Sequence, residues 1–435
     1  MSSKNIDLHV HHVTRVEGHG DVLLNVADGK VEHVSLNIVE APRFFEGMLK
    51  GRAHYEVREI VSRICGICAC GHSLSSIRAS EAALGVEPSN QVVDLRKLVL
   101  SAENLSSHYL HIFFLVAPDL FGVDSVIPLT TSHKDVVVKA LKLKKVANNM
   151  SDSIVGRHTH PICMDIKGFS KLPTVEKLKD IQRQLRDSIS DIEFMIDVVA
   201  SVAGNIPDFT RETEYVSLGP INGSNEYPFY DGVINSSEGI TYYPADYKKV
   251  TNEFITPDST AKHTRHKRDS YMVGAMARFN NNYDLLRPEA KAVAEKLGMK
   301  APCHNPFMIT IAQLVETVHI THDAIELLDS LINRGIVPED YSYTPKAGKG
   351  TGAVEVPRGI LFHNYTYNTH GRIEEADAVI PTTQNLENID QDMRVLTPTI
   401  LDKPKEEISL LLQMLVRAYD PCISCSTHQL NVRFA

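Results

Sequence analysis

Arg63-Ile64-Cys65-Gly66-Ile67-Cys68-Ala69-Cys70-Gly71-His72 decides how this chain is read, because its Cys-x-x-Cys pair has a counterpart at the other end, Asp420-Pro421-Cys422-Ile423-Ser424-Cys425-Ser426-Thr427-His428. A two-residue spacer lets both sulfurs of a pair face one ion, so two such pairs can converge on a single soft or borderline metal. A site of that kind ties the two ends of the fold together.

On spacing alone three chemistries compete. Zinc closed by four cysteines is the default, but zinc knuckles draw their ligands from nearby positions, whereas almost the whole chain separates these pairs. A dithiol redox motif needs only one pair, opening a helix after a strand. A catalytic nickel or iron centre needs an open position and proton carriers close by. His72 and His428 stand close enough behind their pairs to bond a sulfur or bind a second metal. Cys70 reads as a buried, inert thiol, and Cys163 and Cys303, with no partner in sequence, as core residues.

Composition narrows the class. Seven cysteines in 435 residues are too few and too scattered for a secreted disulfide scaffold. The net charge of -9 gives no global attraction to nucleic acid. The basic runs Lys139 to Lys145 and His263 to Arg268 therefore read as solvated faces or a docking edge. No apolar run is long enough to span a membrane, and the N-terminus lacks an apolar signal core.

Alternating residues on either side of Asp28-Gly29 predict a hairpin. Helical periodicity then predicts helices over Phe44 to Arg52, Ser73 to Leu84, Asn90 to Leu115 (stopping before Pro118), Lys134 to Ile154, Val175 to Val202, Pro306 to Asn333 and Lys405 to Ala418. The expected fold is α+β and predominantly helical: a bundle core of long helices, with small β elements near the N-terminus and in the C-terminal half. Without an internal repeat or low-complexity linker, 1-435 reads as one domain. Within it we distinguish an N-terminal β segment (1-43), a helical part with the first pair (44-204), a surface excursion (205-275), a helical and β part with the second pair (276-428), and a tail (429-435).

Further segments follow in order: Thr14-Arg15-Val16-Glu17-Gly18-His19, Arg43-Phe44-Phe45-Glu46-Gly47, Gly156-Arg157 with His160-Pro161, Glu355-Val356-Pro357-Arg358-Gly359, and Pro381-Thr382-Thr383-Gln384-Asn385. With them the chain resembles, over essentially its whole length, the large catalytic subunit of nickel-iron hydrogenases. The resemblance implies heterolytic cleavage of dihydrogen at a Ni-Fe centre whose iron carries one carbon monoxide and two cyanides. By position, Cys65 and Cys422 would be terminal nickel ligands, while Cys68 and Cys425 would bridge to iron. Cys422 would pass a proton to Glu17. Arg358, held by Asp420, would stand over the open metal position, with His72 close behind the first pair. Val356, Pro357 and Arg358 would enclose one cyanide and Thr382 would bond the other. Glu46, His428 and the carbonyl of Ala378 would hold a magnesium (or iron) ion.

The resemblance also implies partners. Once the four cysteines are used, only the isolated Cys70, Cys163 and Cys303 remain, too few for an iron-sulfur cluster. It therefore implies a small subunit carrying such clusters, near the first pair, and further flavin, ferredoxin-like or heterodisulfide-reductase-like subunits. It also implies a maturation endopeptidase that cuts after His428. The absence of Trp, Gln384 where the family often has Trp, and Ser107 where it often has Asp resemble the cytoplasmic branch coupled to soluble carriers. Ser107 removes a carboxylate from the expected proton routes, and Lys167-Gly168-Phe169 replaces a more usual double glycine. Two other readings stand beside this one: a non-catalytic relative like the quinone-site subunit of respiratory complex I, whose members lose the cysteines, and a zinc-stapled structural protein.

Overall fold

A computed structural model describes residues 5–221, 223–257 and 259–427. Strands β1 (Ile6–Val10), β2 (Gly20–Ala27) and β3 (Lys30–Ile38) pair antiparallel in that order. The turn between β2 and β3 has φ of 50° at Asp28 and 75° at Gly29, the two left-handed positions that a tight hairpin demands. Val22, Leu24 and Val26 alternate into the core, as the pattern requires.

Helices follow: α1 (Phe45–Leu49), α2 (His54–Val61), α3 (Ala69–Leu84), α4 (Asn90–Leu110), α5 (Lys134–Val155) and α6 (Val175–Val202). After them come α7 (Ala275–Asn282), α8 (Ile309–Arg334), α9 (Pro381–Leu396) and α10 (Lys405–Ala418). The long helices α4, α5, α6 and α8 pack on one another as the bundle. The reason is visible in α6, which turns Leu178, Ile181, Leu185, Ile192, Met195 and Val199 to one buried side. Its N-terminus is fixed by the Thr174 hydroxyl, which accepts the Lys177 N–H.

Several boundaries differ from the sequence expectation. The helix expected over Phe44 to Arg52 is only the five-residue α1, because Phe44 and Gly51 bracket it in left-handed conformations. Helix α3 begins at Ala69 rather than Ser73, so Cys70, Gly71 and His72 lie in its first turn. The run from Asn90 does not stop before Pro118. It passes through a wider π turn, His111–Val116, into a short helix Ala117–Leu120 that takes Pro118 in its first turn, where a missing N–H costs little.

A two-stranded ladder, β4 (Met164–Asp165) with β5 (Gly168–Phe169), precedes α6. Next come β6 (Glu214–Gly219), β7 (Val233–Ser236), β8 (Ile240–Tyr242) and β9 (Tyr271–Met272), in the order β8-β7-β6-β9. The segment 205–275 is thus not a surface excursion throughout. All of β6 is buried, and Val216, Leu218 and Ile234 share a small second core with Ile360 and Phe362. The last sheet is antiparallel: β10 (Gly348–Val356), β11 (Gly359–Tyr367) and β12 (Ile373–Val379).

One close approach positions everything that follows. A Cβ at Gly348 would lie 2.0 Å from the Ala83 carbonyl oxygen, and one at Gly352 would lie 2.0 Å from that of Ser75. Glycine on one side of β10 therefore lets α3 lie directly on the strand. The first cysteine pair at the head of α3 and Val356-Pro357-Arg358 at the end of β10 are delivered to the same place.

Candidate metal centre

Cys68 caps α3 with Cys65 just before it, whereas Cys422 and Cys425 belong to a single helical turn, Ile423–Ser426, after α10. The pairs meet. Cys65 Sγ lies 3.3 Å from Cys422 Sγ, Cys68 Sγ lies 3.6 Å from Cys425 Sγ, and Cys422 and Cys425 are 2.8 Å apart. All four sulfurs are buried and lie within 4.8 Å of one another. Sulfurs about 2.3 Å from one ion stand roughly 3.3–4.6 Å apart across tetrahedral and square-planar arrangements; the Cys65–Cys422 and Cys68–Cys425 separations match that spacing, and Cys422 and Cys425 would move apart to share a borderline metal.

Charge in the cage is shared unevenly. The Cys65 thiol is pulled well below the usual range because the Cys422, Cys425 and Cys68 thiols can all donate to its sulfur. The N–H groups of Ile67 and Cys68 point at the same atom, at 3.2 and 3.4 Å. Burial pushes Cys422 and Cys425 well up, and a bound cation would favour their thiolates.

Arg358 supplies the counter-charge. Its Nε donates to the Asp420 carbonyl at 2.7 Å and its Nη2 to the Asp420 carboxylate at 2.8 Å. Its Nη1 is buried without a partner among the described residues. Burial works against the guanidinium, but Asp420, Cys422, Cys68 and Cys65 hold it firmly charged. A dication within four thiolates is an anionic unit, so a buried arginine with one unspent N–H is chemically suited to it. Asp420 adopts φ of 51°, a strained conformation for a non-glycine residue, immediately before Pro421 and Cys422.

Thr382, at the head of α9, accepts the Cys422 N–H at 2.9 Å, which leaves its own proton to donate. Glu17 is half-buried and forms a parallel bridge with Cys422. Its carbonyl accepts the Ile423 N–H at 2.9 Å, and its carboxylate accepts the Ser424 N–H at 3.1 Å and the Ser424 hydroxyl. The neighbouring Arg15 pairs with Asp119 at 2.5 Å. Arg43 donates to the carbonyls of Ile64 at 2.7 Å and of Ser424, bracing both pairs.

The remaining candidates are placed as follows. His72 is buried, and its Nδ1 lies 3.1 Å from His363 Nε2; His363 continues to Tyr365 at 2.8 Å, which donates to Ser76 at 3.0 Å. Glu46 is buried rather than facing solvent, and it accepts the Ala378 N–H at 2.9 Å. Val356 and Pro357 are buried, and their carbonyls accept from Arg278 at 3.0 and 3.3 Å. His428 and the tail 429–435 lie outside the described residues.

Sequence reading missed the carboxylates behind the centre. Glu103 accepts the Cys70 N–H at 2.7 Å and the Gly71 N–H at 3.0 Å, so it caps the first turn of α3. Burial raises its pKa to about 8 despite those donors. It stands one helical turn before Ser107, so the spacing from the missing aspartate could have pointed to it. Arg278 is wholly buried, bonded to Glu316 at 2.6 and 2.7 Å and to Glu355 at 2.8 Å, with His108 on Glu316 at 2.9 Å. No local spacing joins Arg278, Glu316 and Glu355; only the fold does.

Among the described residues, Cys70, Cys163 and Cys303 are free, and no second cysteine cluster exists. No helix there is long and apolar enough to cross a membrane.

A family model described as nickel-dependent hydrogenase matches residues 43–154 and 212–428, and one described as HoxL-like matches 7–41. The chain is 32% identical over 428 residues to the alpha chain of sulfhydrogenase 1 of Pyrococcus furiosus, covering 98% of this chain and 99% of that one. It is 30% identical over 425 residues to the alpha chain of sulfhydrogenase 2 of the same organism, covering 95% and 97%. A crystal structure of an NAD+-reducing [NiFe]-hydrogenase in the H2-reduced state is similar with a TM-score of 0.88, at 25% identity over 97% of this chain and 99% of that one.

Proposed function

Since the chain belongs to the nickel-dependent hydrogenase family and is its large, catalytic subunit, we propose that Cys65, Cys68, Cys422 and Cys425 would hold a nickel-iron centre through their four sulfurs. The observation that carries this reading is the four-sulfur cage under the charged, partly unpartnered Arg358. Family membership together with all four thiols in one cage leaves no support for the non-catalytic and zinc-stapled readings. Such a centre, when bound, supplies the Lewis acidity that makes dihydrogen acidic enough to split.

The protein's own residues then manage charge and protons. Arg358 offsets the anionic cage and orients over it, with Asp420 fixing its guanidinium plane; its pKa makes it a poor base. The Cys422 sulfur takes the proton and Glu17 receives it, since the Glu17 main chain is bonded to the Cys422 turn and its half-buried carboxylate accepts from Ser424 in that turn. Thr382 and the Val356-Pro357-Arg358 segment would host cyanides on iron, and His72 backs the first pair. Glu46, the carbonyl of Ala378 and His428 would hold a magnesium-like ion.

Electrons leave through a small subunit with iron-sulfur clusters, a reading supported by the lack of a second cysteine cluster among the described residues and by relatives named as one chain of a larger hydrogenase. A soluble carrier reached through further subunits, a cytoplasmic location and an endopeptidase acting after His428 complete the proposal. The test is metal analysis with infrared spectroscopy on the purified complex. Nickel and iron in equal amounts with carbon monoxide and cyanide bands are expected; zinc alone without those bands overturns it.

A further inference from the structure

Outside the cysteine cage, the His9-Val10-His11-His12 stretch has no part in the function above. We propose that His9, His11 and Asp21, with His12 beside them, form a separate surface site for a borderline divalent cation of the zinc type. His9 lies on β1 and His11 follows immediately after the strand ends at Val10. The register pairs Val10 with Val22, which sets Asp21 directly beyond, on the neighbouring strand.

Three imidazoles aim at that one carboxylate. His9 Nε2 stands 3.0 Å from Asp21 Oδ2, His11 Nδ1 stands 3.3 Å from the same oxygen, and His12 Nδ1 stands 3.6 Å from Oδ1. His9, His11 and Asp21 offer ligand atoms all within 4.8 Å of one another. The rings of His9 and His11 pack with centroids 3.5 Å apart. Asp21 belongs to the outward-facing row of β2, yet it is 7% exposed because the histidine rings cover it.

The donor set selects the ion. Two neutral imidazoles and one carboxylate, with the remaining position open to water, suit zinc, nickel or copper, whereas magnesium prefers oxygen donors and retained water. The carboxylate is also held in place: the His12 N–H donates to Asp21 Oδ1 at 2.9 Å, which fixes its orientation toward the rings. The site joins the two feet of the loop between β1 and β2. A cation there would clamp a loop that takes left-handed turns at His12, Arg15 and Gly18 and that carries Glu17.

The test uses the purified complex, titrated with zinc sulfate, desalted and assayed for bound metal. Native protein is expected to retain one zinc beyond its resident metals, undiminished by excess magnesium. His11→Gln, whose side chain is 68% exposed and leaves the fold untouched, and Asp21→Asn are expected to lose that zinc. Nickel and iron contents should not change in either variant. No retained zinc, retention by both variants equal to that of the native protein, or displacement by magnesium would overturn the proposal.

Discussion

The two cysteine pairs occupy one cage but are held there by different physics. The first is a product of core packing: α3 lies flat on β10, its opening turn is capped by Glu103, and the bare Cα of Gly71 leaves room for Val356. The second follows the end of α10 and is latched by separate polar contacts from several segments, namely Thr382 to Cys422, Arg358 to Asp420, Glu17 to Ile423 and Ser424, and Arg43 to Ser424 and Thr427. Packing contacts form with the core, whereas a set of latches can close afterwards.

The largest expected effect breaks the chemical part of the latch without opening it. Glu17→Gln keeps an oxygen to accept the Ser424 N–H but cannot carry a proton, so turnover should fall about 10²–10⁴-fold. Metal content should stay unchanged, and exchange of dihydrogen with solvent hydrogen should be lost in parallel. Unchanged turnover would remove Glu17 from the proton route. Asp420→Ala breaks the latch itself, leaving Arg358 buried without its carboxylate, which costs about 3–5 kcal/mol. Thermal unfolding and nickel content report the result: both should fall, and retained nickel would show that the second pair closes without Arg358 held in place.

Next comes the helix that carries Thr382. Asp390 on α9 accepts the Leu36 N–H at 2.8 Å, and burial raises its pKa from 3.8 to about 6. His263 and Arg394 work against that rise, while Glu387 adds to it. A carboxyl with a raised folded pKa binds its proton more tightly when folded, so its contribution to stability falls as pH rises from about 4 to 6 and stays low above. The effect is about 3 kcal/mol at most. Asp390→Asn keeps the acceptor and removes the titration. Denaturant midpoints at pH 4.5 and 7.5 should therefore differ less in the variant than in the native chain, with the gain at the higher pH.

How much of this was legible in the sequence divides along the same line. Long helices with clean periodicity were read almost to the residue, as α6 and α10 show, because one buried stripe decides them. The four cysteines that converge were legible from Cys-x-x-Cys spacing, and the neighbours Thr382, Arg358 and Glu17 were named from the resemblance. Glu103, Arg278 and Glu316 were not, since their partners are distant in the chain and only tertiary contact joins them. The start of α3 was missed because cysteine and glycine are weak helix formers there, and Glu103 supplies the cap from another helix. The burial of β6 was hidden by its polar residues, Glu214 and Ser217, which are satisfied by His266, Ser236 and Asn281.

Smaller effects separate packing from latching. Gly71→Ala places a Cβ 2.2 Å from Val356 Cγ1 and 2.7 Å from Glu103 Oε1, so the head of α3 must shift. Overpacking of that kind costs about 1–3 kcal/mol. The loss should appear in unfolding of the metal-free chain as well as the loaded one, because the first pair is set by the core.

Two adjacent threonines give the finest comparison. Thr382 accepts the buried Cys422 N–H, whereas the hydroxyl of its neighbour Thr383 is buried with no partner among the described residues. Valine at Thr382 keeps the shape and strands a buried donor in the second pair, at about 1–2 kcal/mol. Valine at Thr383 removes a polar atom that makes no bond, and should be neutral or slightly stabilising. Stability of Thr382→Val relative to Thr383→Val, measured on the same complex, isolates the single latch between α9 and Cys422. Equal stabilities would mean that the second pair, like the first, is held by packing.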